Sequence, residues 1–600
     1  MNVNRRQMIF CTTALVSTIL TERPSAAQAP SVGDGFRDTF GTPNYGAPSA
    51  SMQFLKRSQE QRTIVPRDRE QLDAYITRLP VLRQMQDTLT PELYHLMQWN
   101  AFCLDMTSLD HTTEQTGFDQ NGKPLPDPLY AEQIGPHRSS RALAIVHLAM
   151  FEAVNVIYRR AQSYHGIQQK VFSALQLTPN QVDPTTASVR AAIGSAAHRT
   201  LVALYPKKQT ATDLFYRKIT PLIGDSPEVT TAGVRIGTAA ANLILADRNY
   251  QPSTGRFADG SEVDDNGAAL TKGPNNSLDL EPFALKLFPH PTSTEWQIDP
   301  ITKVGRAIGG YWHNCRPFVL DPKALFIPNG PPAANSAAFQ KSYEDVRQKG
   351  GDPNPVPLGA RRNTPTTRTG GPNDPLDGNN ETFKANFWAY DGTALLCAPP
   401  RLYNMIATSI ALDEHKIEEV AEMARYLALV NVALADAGIA AWTAKYKFHF
   451  ARPVTYFRNN DPNHIEMNVA NKDWTPLGAP VSNGTPDGAN LTPPFPSYPS
   501  GHAVFGGALF RTLQRLLPVE AAPFEKFSFV SDEYNGLNRG PTGDPRPRVE
   551  RTFASFAEAE QENARSRIFL GIHWQFDADD GIAQGHAVAD YILGHALQPV

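Results

Sequence analysis

Apolar residues at helical spacing dominate the hydrophobic pattern of this chain. The stretch 141–160 (RALAIVHLAMFEAVNVIYRR) is rich in helix formers and apolar enough to form a mostly buried helix. Asp183-Pro184 and Ser226-Pro227-Glu228 resemble helix caps with proline in the first turn, and they predict helices reaching Tyr205 and about Arg248. Further helices are predicted at 402–412, 417–448, 503–517 and 582–597. Alternating strand patterns are scarce, so the sequence predicts an all-α fold.

Long irregular stretches separate the predicted helices. Residues 251–300 are mixed and polar, 349–381 are dense in Gly, Pro, Asn and Thr, and 458–499 carry many prolines. Loops of this length inside a compact protein are uncommon and are often functional. We predict an N-terminal helical region at 30–348, a Gly/Pro-rich connector at 349–381 and a C-terminal helical domain at 382–600.

The first 29 residues have the pattern of an export signal. Arg5 and Arg6 precede the apolar stretch Met8–Leu20, and Ala27-Gln28-Ala29 offers a small-residue cleavage site. The paired arginines suggest the twin-arginine route, which exports folded proteins. An uncleaved N-terminal anchor is the alternative. With no other membrane span recognised, we expect a periplasmic or secreted protein that is not inserted in a membrane after cleavage.

Composition and charge narrow the possible functions. The chain is 41% apolar and 19% charged, with a formal net charge of −4 and no basic run, so nothing indicates nucleic-acid binding. Of four cysteines, Cys11 lies in the predicted signal, which leaves Cys103, Cys315 and Cys397 for at most one disulfide. No Cys/His cluster suggests zinc. A site for a highly charged anion would therefore need a local concentration of positive groups.

The first candidate segment is Lys445–Pro453 (KYKFHFARP). Lys445 and Arg452 are seven residues apart, which places them on one face if the helix continues. Pro453 disfavours helix at Arg452, so we expect that guanidinium at a helix end. The alternative interpretation is a solvated basic helix face.

The second candidate segment is Pro493–Gly507 (PPFPSYPSGHAVFGG). Its prolines favour an extended approach to a helix with Ser500 at the N-cap and Gly501 and His502 in the first turn. Free backbone N–H groups at a helix start suit an oxyanion, and Gly501 would allow close approach of the backbone. His502 would stand beside the anion as a general acid/base. An ordinary capping serine beside a surface histidine is the alternative.

The third candidate segment is Ser566–Asp577 (SRIFLGIHWQFD). The fork of Arg567 matches the oxygens of a tetrahedral anion, and His573 offers an imidazole nitrogen as a nucleophile or a metal ligand. Asp577 could accept the other ring N–H, and Gly571 could supply a bend between Arg567 and His573. A core histidine and a surface arginine are the alternative. Together, the three segments predict one oxyanion pocket, built from the last third of the chain.

These segments resemble the superfamily of vanadium haloperoxidases and bacterial acid phosphatases. The pattern is Lys445-x6-Arg452-Pro453, Pro499-Ser500-Gly501-His502 and Ser566-Arg567-x3-Gly571-x-His573. Flanking residues, including Trp388-Ala389-Tyr390-Asp391-Gly392, are similar to the fungal-type vanadium chloroperoxidases. That resemblance implies two packed four-helix bundles with vanadate at one end of the second.

The resemblance also implies a role for each site residue. His573 would coordinate vanadium, His502 would exchange the proton when peroxide enters, and Asp391 would pair with Arg567. Trp442 and Phe495 would form the aromatic wall near the halide, whereas Ala451 and His449 depart from the fungal pattern. The vanadate oxygens would be bound by Lys445, Arg452, Ser500, Gly501 and Arg567.

The implied activity is a vanadate-dependent haloperoxidase that oxidises chloride or bromide with hydrogen peroxide to hypohalous acid, which halogenates an organic acceptor. Two alternatives remain open at this stage. One is an acid phosphatase in which His573 attacks phosphorus, Asp577 orients it and His502 protonates the leaving group. The other is a non-catalytic oxyanion-binding protein.

Overall fold

A computed structural model describes residues 89–111, 132–271, 281–292, 294–352, 380–414, 417–458, 474–483, 490–517, 526–536, 538–540 and 543–600. The predicted signal at 1–29 and most of the predicted connector, residues 353–379, lie outside the described residues.

Helices also dominate the structure. In the first part of the chain they are α1 (Pro91–Asp110), α2 (Gly135–Tyr158), α3 (Ile167–Leu175), α4 (Val189–Leu204), α5 (Gln209–Ile219), α6 (Pro227–Asp247), α7 (Ala284–Leu287) and α8 (Ala337–Lys349). Single 3-10 turns occupy Tyr164–Gly166, Pro179–Gln181, Pro206–Lys208, Thr220–Leu222 and Trp312–Asn314. A minimal antiparallel pair is formed by β1 (Tyr250–Gln251) and β2 (Arg256–Phe257).

The second part of the chain contains seven described helices and a hairpin. The helices are α9 (Glu381–Phe387), α10 (Pro399–Ser409, followed by a π-helical turn at Ile410–Glu414), α11 (Val420–Phe448), α12 (Pro453–Arg458), α13 (Gly501–Leu516), α14 (Phe556–Phe569) and α15 (Gln575–His595). The antiparallel hairpin joins β3 (Phe527–Asn535) to β4 (Arg548–Phe553), with Phe527 opposite Phe553. The prediction of an all-α fold is confirmed apart from these two small sheets.

Two groups of helices account for most of the packing. Helices α1, α2, α4 and α6 pack on one another, as do α11, α13, α14 and α15. Helix α2 lies along α11 and joins the two groups, so one continuous apolar core runs through both. This is the pair of four-helix bundles that the family resemblance implied.

Several predicted helix boundaries are wrong. The Asp183 carboxylate accepts the backbone N–H groups of Thr185 and Thr186 in a surface turn, so Asp183-Pro184 does not start a helix. Helix α4 begins at Val189, where the Ser188 hydroxyl accepts the N–H of Ala191. The final helix starts at Gln575, seven residues before the predicted Ile582. At the start of α4, local hydrogen bonds therefore determine which of the two candidate residues, Asp183 or Ser188, caps the helix.

Within the part of the chain that the structure describes, three helices are long and apolar enough to cross a membrane by length and composition, although the sequence pattern suggested no candidate beyond the N-terminus. They are α2, α6 and α11. The most apolar window is fully buried within the protein in α2 and 94% buried in α11, whereas in α6 only 39% is buried. The apolar character of α2 and α11 is therefore explained by their place in the core. Cys103, Cys315 and Cys397 are all free and buried.

Candidate active site

The C-terminal end of α11 begins the site. His449 adopts a left-handed conformation with φ of 51°, and its N–H bonds the carbonyl of Lys445. The helix therefore stops at Phe448, and the chain turns so that Arg452 lies in an irregular stretch before α12. The helix does not continue, so the condition for a shared face is not met, and Arg452 lies directly before α12, at a helix end as Pro453 indicated. Its charge nevertheless acts on Lys445.

Lys445 is fully buried at the bottom of this turn. Its ammonium group donates to the carbonyl oxygens of Pro496, Ser497 and Pro499 at 2.9, 2.8 and 2.5 Å. Three acceptors match the three N–H bonds of an ammonium group, so this side chain anchors the loop that leads into α13. Burial, together with the nearby Arg452, lowers the pKa of Lys445 well below its ordinary value.

Arg452 and Arg567 present N–H groups that lack partners among the described residues. Arg452 donates from Nε to the carbonyl of Phe495 at 3.0 Å and from Nη1 to the carbonyl of Ile572 at 2.8 Å, which leaves Nη2 unpaired. Arg567 donates from Nη2 to both oxygens of Asp391, at 2.6 and 2.8 Å, which leaves Nε and Nη1 unpaired. Unpaired buried guanidinium N–H groups are costly, so these atoms indicate an anionic ligand.

The start of α13 faces the same point. Ser500 occupies the N-cap, but its hydroxyl makes no capping bond and has no described partner although it is buried. A Cβ on Gly501 would meet the ring of Trp442 at 3.6 Å and Cε of Lys445 at 3.9 Å, ordinary contact distances. The protein itself therefore leaves room for a methyl group at Gly501, and only a bound ligand would require glycine there.

His573 is oriented by a carboxylate. Its Nδ1 donates to Asp577 Oδ2 at 2.7 Å, and the Ser497 hydroxyl donates to the same oxygen at 2.5 Å. Because Nδ1 carries the proton in this arrangement, Nε2 carries the lone pair, which accepts an N–H from Nη1 of Arg452 at 2.9 Å. Burial and the nearby cations lower the pKa of His573 well below its ordinary value, so the ring is neutral. Burial raises the pKa of Asp577 to about 7, against the opposing bond from Ser497.

His502 lies in the first turn of α13. Its Nε2 is 2.6 Å from the carbonyl of Ala389, and a carbonyl can only accept, so Nε2 carries the proton and Nδ1 carries the lone pair. Burial, followed by the charge of Arg567, lowers the pKa of His502 well below its ordinary value. The neutral ring can therefore take up a proton at Nδ1.

A cleft of about 560 Å³, including its open mouth, leads to these groups. Asp391, His502, Arg567 and His573 line its polar end. Trp442 and Phe495 form an aromatic wall with ring centroids 5.1 Å apart, as expected from the sequence. The structure adds walls that no motif indicated, from Ile134, Pro136, Ile308 and Leu491 among others. The anion-facing residues thus come from the C-terminal domain, whereas the cleft also uses the N-terminal region.

The donor set fits a tetrahedral oxyanion held beside a histidine. Three buried cations face two buried carboxylates, and unpaired donors remain on Arg452, Ser500 and Arg567. No group of three or more His, Cys, Asp and Glu side chains that could hold a metal cation occurs among the described residues. All the residues proposed from the sequence are therefore together in one place, with Ser497 and the carbonyl of Ala389 as additional partners.

A family model and a curated relative both match this chain, and both are vanadium chloroperoxidases. Residues 425–600 match the family model of the second helical-bundle domain of vanadium chloroperoxidase. The chain is 29% identical over 545 residues to the vanadium chloroperoxidase of Curvularia inaequalis, covering 81% of this chain and 80% of that protein.

Two solved structures share the fold. One, described as the first bacterial vanadium-dependent iodoperoxidase, has a TM-score of 0.54 and 21% identity and is covered over 97% of its length by 84% of this chain. The other, a holo-type bacterial vanadium-dependent chloroperoxidase, has a TM-score of 0.50 and 15% identity, covering 77% of this chain and 93% of that one. The matches in sequence, the shared fold and the site geometry therefore agree in identifying the vanadium haloperoxidases as the family that this chain resembles.

Proposed function

We propose that this protein binds vanadate and uses hydrogen peroxide to oxidise halide to hypohalous acid. The observation that carries the proposal is the set of unpaired buried donors on Arg452, Ser500 and Arg567, close to His573. Nε2 of His573 accepts from Nη1 of Arg452, so binding of a metal centre there would require exchanging this bond. Bound vanadate supplies a Lewis-acidic centre that activates hydrogen peroxide toward halide without a change of its own oxidation state. Vanadate is identified as the cofactor from the relatives of this chain, and the hydrogen-bond donors of the site are suited to binding it.

Each part of the site has a binding role in this proposal. The guanidinium groups of Arg452 and Arg567 and the N–H of Gly501 would bind the vanadate oxygens, and the Ser500 hydroxyl would donate to one of them. Nε2 of His573 would be the protein ligand to vanadium, kept deprotonated by the bond from Nδ1 to Asp577. Lys445 would contribute positive charge, although its three carbonyl acceptors mean that a direct bond to the anion requires exchanging one of them.

In this proposal His502 transfers the proton that hydrogen peroxide loses on binding. Its Nδ1 would accept a proton from hydrogen peroxide and give it to the hydroxide that the peroxide displaces, which would leave as water. The carbonyl of Ala389 accepts from Nε2–H and so fixes the tautomer. The low pKa of His502 keeps Nδ1 free to accept at neutral pH.

For the halide we propose chloride or bromide. Trp442 and Phe495 give a low-polarity wall beside Lys445 and Arg452, whose charged groups lie 5.2 and 5.0 Å from the Phe495 ring. A weakly polar wall with cations behind it suits a halide ion. Steady-state rates with chloride, bromide and iodide test this preference, and turnover of iodide alone would refute it.

The decisive experiment for the activity is bromination of a β-diketone dye by the purified protein with hydrogen peroxide and bromide, with and without added vanadate. We expect turnover only after vanadate is added, with vanadium bound at one equivalent by metal analysis. Turnover that does not depend on vanadate would refute the proposal.

The same geometry would support a phosphomonoesterase, because Nε2 of His573 is oriented by Asp577 as a nucleophile requires. Hydrolysis of an aryl phosphate by the vanadate-free protein measures this activity. A phosphatase rate exceeding the vanadate-dependent bromination rate would make hydrolysis the principal function.

Replacing His502 by Ala separates an enzyme from an oxyanion-binding protein. We expect bromination to fall by about 10²–10⁴-fold, the usual contribution of a general acid/base, with vanadate still bound. Intact rates of both bromination and phosphate hydrolysis in His502→Ala would remove His502 from the mechanism.

We also propose that residues 1–29 direct export, as a twin-arginine signal, to the periplasm or medium. The proposal is supported by Arg5-Arg6 and the short apolar stretch after them. Replacing both arginines by lysine should retain the protein in the cytoplasm, as measured by cell fractionation. Unchanged export of the double variant would contradict the twin-arginine route.

A further inference from the structure

The cleft above the proposed vanadate site has an uneven distribution of polarity. Its polar groups, on Asp391, His502, Arg567 and His573, are clustered, because Arg567 pairs with Asp391 and its charge acts on both histidines. We call this cluster the polar end of the cleft. Most of the remaining side chains that line it are apolar, and they include Ile134, Pro136, Ile308, Leu491, Pro494 and Phe505. An apolar cleft with a few convergent polar groups is the usual form of a small-molecule site.

The apolar wall is rigidly built. The N–H of Ile308 donates to the carbonyl of Pro494 at 3.0 Å, and its own carbonyl accepts from Trp442 Nε1 at 3.0 Å and from Tyr446 OH at 2.8 Å. Gly309 has φ of 72°, and a Cβ there would lie 2.1 Å from the Trp442 ring, so this turn packs directly on the indole. A halide ion alone does not require apolar walls of this extent, fixed between the N-terminal and C-terminal helical regions.

We infer that this cleft binds the organic acceptor itself, and that the acceptor is an uncharged aromatic or enolic molecule with one hydroxyl group directed to the polar end. The inference rests on the proposed haloperoxidase function. Apolar walls favour an uncharged body because a charged group would lose its hydration there. Nδ1 of His502, once it has given up the peroxide proton, offers an acceptor to a phenol or enol hydroxyl.

Binding in the cleft places the acceptor carbon beside the atoms where hypohalous acid forms. In the transfer, the acceptor carbon loses its proton and gains the halogen of hypohalous acid, and the released hydroxide and proton leave as water. The carbon is oxidised by two electrons and the halogen is reduced, so no further reactant is needed. Because the wall holds one face and one end of the ring, the position of halogenation should depend on the protein.

The first test is binding, measured by calorimetry on the vanadate-loaded full protein without peroxide or halide, so that the anion pocket is already filled. We expect para-cresol to bind and para-hydroxybenzoate, which adds a carboxylate, to bind at least about tenfold more weakly. Leu491→Ala removes an apolar wall and should weaken para-cresol binding by about tenfold. Leu222→Ala is the matched control, because Leu222 is 69% exposed and is not among the cleft residues, and it should bind para-cresol like the original protein.

The second test is the ratio of ortho to para products when phenol is brominated by the vanadate-loaded protein. We expect a ratio different from that given by authentic hypobromite in the same buffer, and a shift toward the hypobromite ratio in Leu491→Ala. If Leu491→Ala does not fold, Ile134→Ala tests the opposite wall with the same two measurements.

The outcomes distinguish this inference from the proposed function. Vanadate-dependent oxidation of iodide to triiodide needs no organic acceptor. If iodide is oxidised but phenol gives the hypobromite ratio and para-cresol does not bind, the acceptor site is refuted and the haloperoxidase function stands. If iodide is not oxidised either, both are refuted.

Discussion

At the scale of single residues, burial determines the chemistry of the site. Two histidines, three cations and two carboxylates lie within the protein, so their protonation is set by their neighbours more than by solvent. His573 and His502 are each held in one tautomer by an acceptor, Asp577 and the carbonyl of Ala389 respectively. The ring lone pairs are therefore at Nε2 of His573, where Nη1 of Arg452 donates to it, and at Nδ1 of His502.

The low pKa of His502 has a consequence for stability. Its folded pKa lies below the ordinary value of 6.5 because of burial and the charge of Arg567, so the folded protein binds fewer protons than the unfolded chain below pH 6.5. The stability contributed by neutral His502 is present above pH 6.5 and is lost as pH falls toward the folded pKa.

We therefore predict that the stability advantage of the vanadate-free protein over His502→Gln shrinks by about 1.4 kcal/mol per pH unit below pH 6.5. Urea unfolding at several pH values between 7 and 5 measures it. A difference that does not change with pH would show that His502 is not kept neutral by its surroundings.

Gly501→Ala tests the anion cradle. A methyl group meets only ordinary contacts in the protein itself, so we expect the melting temperature without ligand to stay within a few degrees of the original. Vanadate affinity should fall by about tenfold or more, because the methyl group would occupy the space beside the Gly501 N–H. Calorimetric titration with vanadate measures the affinity, and an unchanged Kd would place the anion elsewhere.

At the scale of elements, the turn between α14 and α15 sets the distance from Arg567 to His573. Gly571 has φ of 72°, and a Cβ there would lie 2.2 Å from the carbonyl oxygen of Gly350 at the end of α8. This turn lets two helices contribute to the site although Arg567 and His573 do not share a helical face.

We predict that Gly571→Ala destabilises the protein by more than about 2 kcal/mol, from the strained backbone and the clash. Gly594→Ala is the matched control, because Gly594 lies in α15 with nothing within 4 Å, and it should be neutral or stabilising by up to about 1 kcal/mol. Chemical unfolding of both variants measures the effect. Equal stabilities would contradict the assigned role of the turn.

The hairpin β3–β4 supports the segment that carries Asp391. The Ser531 hydroxyl donates to the carbonyl of Phe387 at 2.6 Å, and the N–H of Asp532 donates to Tyr390 OH at 2.6 Å. Tyr390 itself has φ of 47°, so the residue directly before Asp391 is held in an unfavourable conformation by these contacts. The sequence did not predict this hairpin, because β3 is buried on both faces and shows no alternation.

At the scale of the whole molecule, ligand binding and folding are linked. A vanadate ion that compensates the buried cations binds only the folded state, so at about a hundred times its Kd it should add about 2.7 kcal/mol of stability. We predict a clear rise in melting temperature with vanadate, measured by calorimetry. His573→Ala is the control and should reduce the rise, and an equal rise in both would exclude His573 as the ligand.

Much of the site followed from the sequence because its residues occur in three short segments whose local chemistry is distinctive. A proline-rich approach to Ser500-Gly501-His502 and the spacing of Arg567, Gly571 and His573 indicated an anion pocket. The all-α fold followed from the strength of the helical pattern. These features depend on near neighbours in the chain, which is why they can be recognised without coordinates.

Other features depended on the tertiary structure alone. Helix α4 is capped by Ser188 and not by Asp183. Helix α11 ends where His449 adopts the left-handed conformation, so Arg452 lies beyond the end of that helix. The cleft walls at Ile134 and Ile308 lie far from the motifs in sequence and reach them only because α2 packs along α11. Contacts between distant apolar residues have no local signature, so packing decided the shape of the cleft, while the sequence determined the chemistry at its polar end.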